Sequence, residues 1–292
     1  MIIELLKAIF YGIVEGITEW LPVSSTGHLI ILEEFIQFRG TDTELMNEFL
    51  EMFEVVIQLG AILAVVVIFW KKLFPFGKEK SRAEIKSTFS LWGRVLVASV
   101  PAAIVGIVGD KILEKLTGKD IDGWLYNAYV VAAALIIYGI LFIVIERLNK
   151  NKTYAVTDVS DISYGKAFAI GIFQMLAMIP GTSRSGSTIL GSMCMGLSRS
   201  AAAEFSFFMA IPVMAGASAI KALGFFKFVL DGALTIPVEM WLVLATACLT
   251  AFLVSLAAIR FLTDFVKRHS FSAFGIYRIV LGVAVILYFV VR

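Results

Sequence analysis

The chain has 292 residues, 59% of them hydrophobic and only 16% charged, with a mean hydropathy of +0.89. A soluble domain averages about 45–50% apolar and about 25% charged residues, so the composition excludes a water-soluble globule and indicates an integral membrane protein. The formal net charge of +2, without a basic stripe interleaved with aromatics, excludes nucleic acid as a partner.

The apolar segments suit helical spans, which need roughly 20 residues each. Residues 2–20 predict a helix whose polarity rises toward its C-terminal end. Glu4, Lys7, Glu15 and Glu19 interrupt it and no basic segment precedes it, so it does not read as a cleaved signal. Pro22 cannot continue a helix interior, and Ser24, Ser25, Thr26 and Gly27 follow as cap and turn residues. Residues 28–37 are apolar again. Two short arms around a polar turn predict a re-entrant hairpin, whose turn must be covered by protein or water. A polar loop is expected over 39–49, then spans at 50–70, 91–109 and 124–145, with charged connectors between them. After a polar segment at 146–163 the opening theme returns. An apolar arm covers 164–179, a polar turn Pro180–Gly186, and a second short arm 187–197. Three further spans follow at about 201–226, 238–262 and 272–291. Cys194 and Cys248 fit neither a CxxC pattern nor a disulfide frame and read as small buried hydrophobes.

The expected fold is therefore all-α and polytopic: six transmembrane helices plus two re-entrant helical hairpins in a single domain, residues 1–292. Repeat 1 covers about 1–146 and repeat 2 about 164–292, joined by 147–163. GIVEGITEWLPVSSTG, from Gly12 to Gly27, pairs with GIFQMLAMIPGTSRSG, from Gly171 to Gly186. Three spans carry the chain across the membrane while a hairpin returns to its own side, so the second repeat is inverted. The two hairpins then meet from opposite faces, the arrangement that builds midplane sites in inverted-repeat proteins. Loops 71–90, 146–166, 198–200 and 263–270 carry thirteen Lys and Arg against seven in the segments on the opposite side, which predicts that this side is cytoplasmic.

Charged side chains at membrane depth cost about 2.5–3.5 kcal/mol each and mark function. Glu15 and Glu19, one helical turn apart, share a face. Held close at low dielectric, two carboxylates bind a divalent cation or share a proton. Ser24, Ser25 and Thr26 offer hydroxyls, and a turn at Gly27 aims backbone N–H groups at an anion. A serine becomes a nucleophile when a base takes its proton; for Ser25 the candidates are Glu19 and His28. In the second turn, Arg184 supplies a guanidinium fork that matches phosphate, flanked by Thr182, Ser183, Ser185 and Gly186. Glu54, Gln58 and Glu204 are further candidates to line the cavity, and Arg94, Arg260 and Arg278 read as snorkelling or structurally paired. No Walker, HExxH or dinucleotide motif occurs. Two carboxylates, a hydroxyl, a histidine and an arginine suit cleavage of a phosphate ester or anhydride.

At these residues the sequence resembles the bacterial undecaprenyl-pyrophosphate phosphatase family, also known for bacitracin resistance. EGITEWLPVSSTGH at Glu15–His28 matches the first family motif and PGTSRSG at Pro180–Gly186 the second. FEVVIQLGAILAVV at Phe53–Val66 and AAAEFSF at Ala201–Phe207 extend the likeness over nearly the whole chain; Trp20 stands where the family commonly has Phe. The resemblance implies hydrolysis of a polyprenyl pyrophosphate to the monophosphate and inorganic phosphate, which recycles the lipid carrier for cell-wall glycans. It implies a divalent cation, magnesium or calcium, and an outward-facing site in the bacterial inner membrane. Glu15 and Glu19 become metal or acid/base carboxylates, Ser25 the proposed nucleophile, His28 an acid/base partner and the competing nucleophile, and Arg184 the pyrophosphate clamp. Polyprenyl pyrophosphate and bilayer lipids are the expected partners, with a homodimer left open. From a different class, a lipid-phosphate flippase using the same cavity is the alternative.

Overall fold

The computed structural model describes residues 1–39, 43–77, 80–118, 121–125 and 127–291. Lys78, Lys119 and Arg292, which enter the charge comparison, lie outside them. The chain is almost entirely helical. It opens with α1 (Ile2–Thr18) and α2 (Ser25–Phe35), then α3 (Thr43–Ile68), the single turn α4 (Trp70–Leu73) and α5 (Arg82–Ile104). A π-helical turn (Val105–Gly109) joins α5 to α6 (Asp110–Thr117), and α7 (Ile121–Leu125) precedes α8 (Ala128–Asn149). The second half holds α9 (Tyr164–Met175) with a 3-10 turn at Leu176–Met178, and α10 (Arg184–Cys194). It closes with α11 (Arg199–Asp231), α12 (Val238–Arg268) and α13 (Ser272–Val291).

Among the described residues six helices are long and apolar enough to cross a membrane: α3, α5 with its extension, α8, α11, α12 and α13. The protein is a multi-pass membrane protein. The pairs α1–α2 and α9–α10 are shorter, with 17, 11, 12 and 11 residues. At about 1.5 Å per residue none of the four reaches the roughly 30 Å hydrocarbon thickness.

One expected loop is helix instead. From Thr43 onward the segment read as a polar loop over 39–49 forms the first turns of α3. Leu45, Phe49, Met52 and Phe53 recur at helical spacing and are all buried, so tertiary burial outweighs the local polarity of Glu44, Asn47 and Glu48.

α1 lies along α12 and α9 along α5, while α8 packs on α13 and α3 on both α11 and α12. Glycines make the first two crossings close. A Cβ at Gly12 would strike the Ala247 carbonyl of α12, and one at Gly171 the Ala98 carbonyl of α5. At the start of α11, Arg199 bonds Glu146 of α8 in two prongs, with Nε 2.8 Å from Oε1 and Nη2 2.6 Å from Oε2. Glu146 also accepts the Phe271 N–H at 2.8 Å, which ties α8, α11 and the start of α13 together. Glu204 does not line a cavity: it pairs with Lys72 at 2.6 Å. Cys194, expected to be buried, is exposed at the end of α10, and both cysteines are free. Among the described residues the apolar core forms two clusters, and the α1–α2 segment enters both, with Trp20 and Val23 in one and Tyr11 and Leu29 in the other.

Candidate active site

Two turns with the same backbone build the site. Ser24 (φ 75°) caps α2 and accepts the Gly27 N–H at 3.2 Å. Ser183 (φ 71°) caps α10 and accepts the Gly186 N–H at 3.1 Å. A positive φ is costly for a residue with a Cβ, about 1–3 kcal/mol, and persists only where the surroundings over-determine it. Here each serine hydroxyl satisfies an orphan helix donor in return. Both turns therefore deliver a helix N-terminus, the end that favours anions.

The turns touch. Ser185 Oγ donates to the Glu19 carbonyl at 3.0 Å. Arg278 of α13, fully buried, spans both: Nη1 donates to the Pro22 carbonyl at 3.1 Å, and Nη2 to Gly181 and Thr182 at 2.7 and 2.8 Å. This arginine does not snorkel. Its charge is met by three backbone carbonyls and by the Tyr138 ring, 5.4 Å from the guanidinium carbon. Gly186 leaves room for it, since a Cβ there would sit 2.9 Å from Nη1.

The Glu19 carboxylate joins the two motifs. Oε2 accepts the Ser25 hydroxyl at 2.9 Å and Oε1 accepts Arg184 Nη2 at 2.7 Å. Arg184 is further held by the Ser206 carbonyl, 2.7 Å from Nη1, and lies 5.7 Å from the Trp20 ring centre; its Nε has no partner. Ser206 in turn shares a 2.7 Å hydrogen bond with Thr188. Of the two bases open to Ser25 on sequence, Glu19 is the one in contact. His28 faces elsewhere: Nδ1 is 2.7 Å from the Ser24 carbonyl and Nε2 2.6 Å from the Tyr277 hydroxyl. Glu15 lies one turn before Glu19, is fully buried, and neither carboxylate oxygen has a partner.

The remaining candidates sit around this centre. Thr26 is half-buried in the first turn of α2. The Thr182 hydroxyl is buried without a partner, and Ser183 Oγ lies 3.1 Å from Ser185 Oγ. The sequence reading missed Tyr277, Ser206 and the clamping role of Arg278. In the sequence, Tyr277 and Arg278 stand as an adjacent pair within an otherwise apolar helix, the only signal of the kind that pointed to Arg184.

A family model for the bacitracin resistance protein BacA matches residues 8–284. The chain belongs to this family. Similar relatives include the undecaprenyl-diphosphatases of Acetivibrio thermocellus, 52% identical over 98% of both chains, and Enterococcus faecalis, 53% identical over 98% of this chain and 97% of that one. The undecaprenyl-diphosphatase of Streptococcus suis is 49% identical over 99% of this chain and 98% of its own. At such coverage the likeness to this family takes in both turns and all six long helices.

Proposed function

We propose that the protein hydrolyses undecaprenyl diphosphate to undecaprenyl phosphate and inorganic phosphate, and thereby recycles a cell-wall lipid carrier and confers bacitracin resistance. The observation that carries this reading is the single carboxylate of Glu19, bonded to a serine hydroxyl on one oxygen and an arginine on the other. A hydroxyl, a base and a phosphate-matching cation converge at two helix N-termini.

Ser25 Oγ attacks the terminal phosphorus as its proton passes to Glu19. The bond from that phosphorus to the bridging oxygen breaks, and the lipid monophosphate leaves with the electron pair and the proton held by Glu19. Water then attacks the seryl phosphate, giving its proton to Glu19, which returns it to the departing Ser25 oxygen. Arg184 offsets charge on the transferring group. His28, its ring nitrogens held by Ser24 and Tyr277, orients the reacting group and does not deprotonate Ser25.

A divalent cation fits the acidic side of this centre. Glu15 and Glu19 would hold it as hard oxygen donors, both carboxylate oxygens of Glu15 being buried and without a hydrogen-bond partner. When bound, magnesium or calcium supplies charge neutralisation at the diphosphate.

We further read α1–α2 and α9–α10 as re-entrant hairpins of an inverted repeat, with repeats over about 1–146 and 164–292. Three pairs of features support it. Ser24 and Ser183, each twelve residues after its frame glycine, share one unusual backbone and one cap. Glu15 and Gln174, each three residues after that glycine, are both buried with unpartnered polar atoms. The packing of α1 on α12 mirrors that of α9 on α5. The excess of basic residues then faces the cytoplasm and the site opens to the outer side of the inner membrane.

Phosphate release from undecaprenyl diphosphate by purified protein in detergent, with and without chelator, tests the reading. It requires activity in wild type and its loss in Ser25→Ala and Arg184→Ala. Paired turns from inverted repeats also occur in carriers, and the flippase alternative requires instead no release and lipid movement across proteoliposomes.

A further inference from the structure

We propose that Tyr277 is a positioning residue that holds the aim of His28 in the tautomer selected by the Ser24 carbonyl. The inference rests on the phosphatase reading for its effect on rate, but not for its geometry. The partner of Nδ1 is a carbonyl oxygen 2.7 Å away, and a carbonyl only accepts. Nδ1 therefore carries the proton. In the neutral ring Nε2 is then bare, and its partner at 2.6 Å is the Tyr277 hydroxyl, which donates to it. The two rings are parallel to within 2°, with centres 5.7 Å apart. The imidazole is thus held at both nitrogens and along its plane.

The placement of Tyr277 gives this contact its meaning. Its neighbour on α13 is Arg278, whose guanidinium holds the carbonyls of Pro22, Gly181 and Thr182. One step of α13 therefore anchors the backbone of both turns and the side chain of His28. Tyr277 is also half exposed on the flank of α13, whereas Arg278 is fully buried. Without the tyrosine hydroxyl, the His28 ring keeps only the Ser24 contact, and Nε2 is free to turn or to take a proton.

The chain has two histidines, His28 and His269, and His269 stacks on Phe265 at the end of α12, outside the site. A His269→Gln background with nitrogen-15 histidine therefore reports on His28 alone. Above about pH 8, where imidazole is neutral, its spectrum is expected to show protonated Nδ1 and bare Nε2. Tyr277→Phe, which removes only the hydroxyl, shifts the Nε2 resonance, while Nδ1 keeps its proton on the Ser24 carbonyl. In phosphate release Tyr277→Phe lowers kcat about tenfold to a hundredfold, the range for outer partners of a working imidazole, with KM within about threefold. In a His28→Ala background the same change has no further effect on kcat. An unchanged His28 spectrum in Tyr277→Phe overturns the proposal, as do losses that simply add in the double variant. If wild type releases no phosphate, the phosphatase reading fails, and the His28 spectrum alone decides the role of Tyr277.

Discussion

Glu19 and Arg184, from the two halves of the chain, form an ion pair of 2.7 Å that is almost fully shielded, with side-chain exposures of 7% and 11%. Because the other Glu19 oxygen holds Ser25, this one pair connects the proposed nucleophile of the first turn to the proposed phosphate clamp of the second. Removing either partner leaves a buried charge without its complement.

Glu19→Gln keeps the shape but loses both the base and the counter-charge. Phosphate release is expected to fall by about 10²–10⁴, the usual worth of a positioned acid/base group. The orphaned Arg184 should also lower stability by about 3–5 kcal/mol. Kinetics and thermal unfolding in the same detergent check both.

A phosphoenzyme trapped with substrate labelled at its terminal phosphate is expected to carry the label on Ser25. Ser25→Ala should abolish the label. Label found on His28, or retained in Ser25→Ala, excludes the serine route.

Arg278→Lys replaces a fork that reaches three carbonyls with a single ammonium. The expected outcome is a drop in kcat of tenfold or more, because misplaced turns separate Ser25 from the phosphate site. It should also lower the unfolding temperature, since hydrogen bonds to a charged group are worth about 1.5–3 kcal/mol each. Arg260→Lys, at an exposed position on α12, should leave both unchanged.

Chelation is expected to suppress phosphate release, and added magnesium or calcium to restore it. Glu15→Gln should raise the cation concentration needed for half-maximal rate by tenfold or more, with substrate saturating. An unshifted cation titration excludes Glu15 as a ligand.

Much of the site could be read before its geometry was known, because its signals are local. Glu15, Glu19 and Arg184 stand out as charges in apolar surroundings, and Ser24 and Ser183 as cap residues beside glycine. The hydrogen-bond partner of Ser25 was not legible. Along the chain His28 is nearer to Ser25 than Glu19 is, yet the turn at Ser24 directs Ser25 onto Glu19 and His28 onto Tyr277. Whether Arg278 snorkels or is paired structurally was undecided for a related reason: hydropathy reports how deep a residue lies, but not which way its helix faces. The start of α3 escaped because its apolar positions count only once neighbouring helices bury them.

By itself, the amino-acid sequence determined the membrane-embedded helical class, the two glycine-framed polar turns and the inventory of groups able to handle phosphate. Hydropathy and turn chemistry are properties of a few consecutive residues. Only the tertiary structure decided that Glu19 is the partner of Ser25 and Arg184, and that α13 anchors both turns and His28. Those contacts join residues far apart in the chain, and they depend on how each helix is rotated and how closely its neighbours approach.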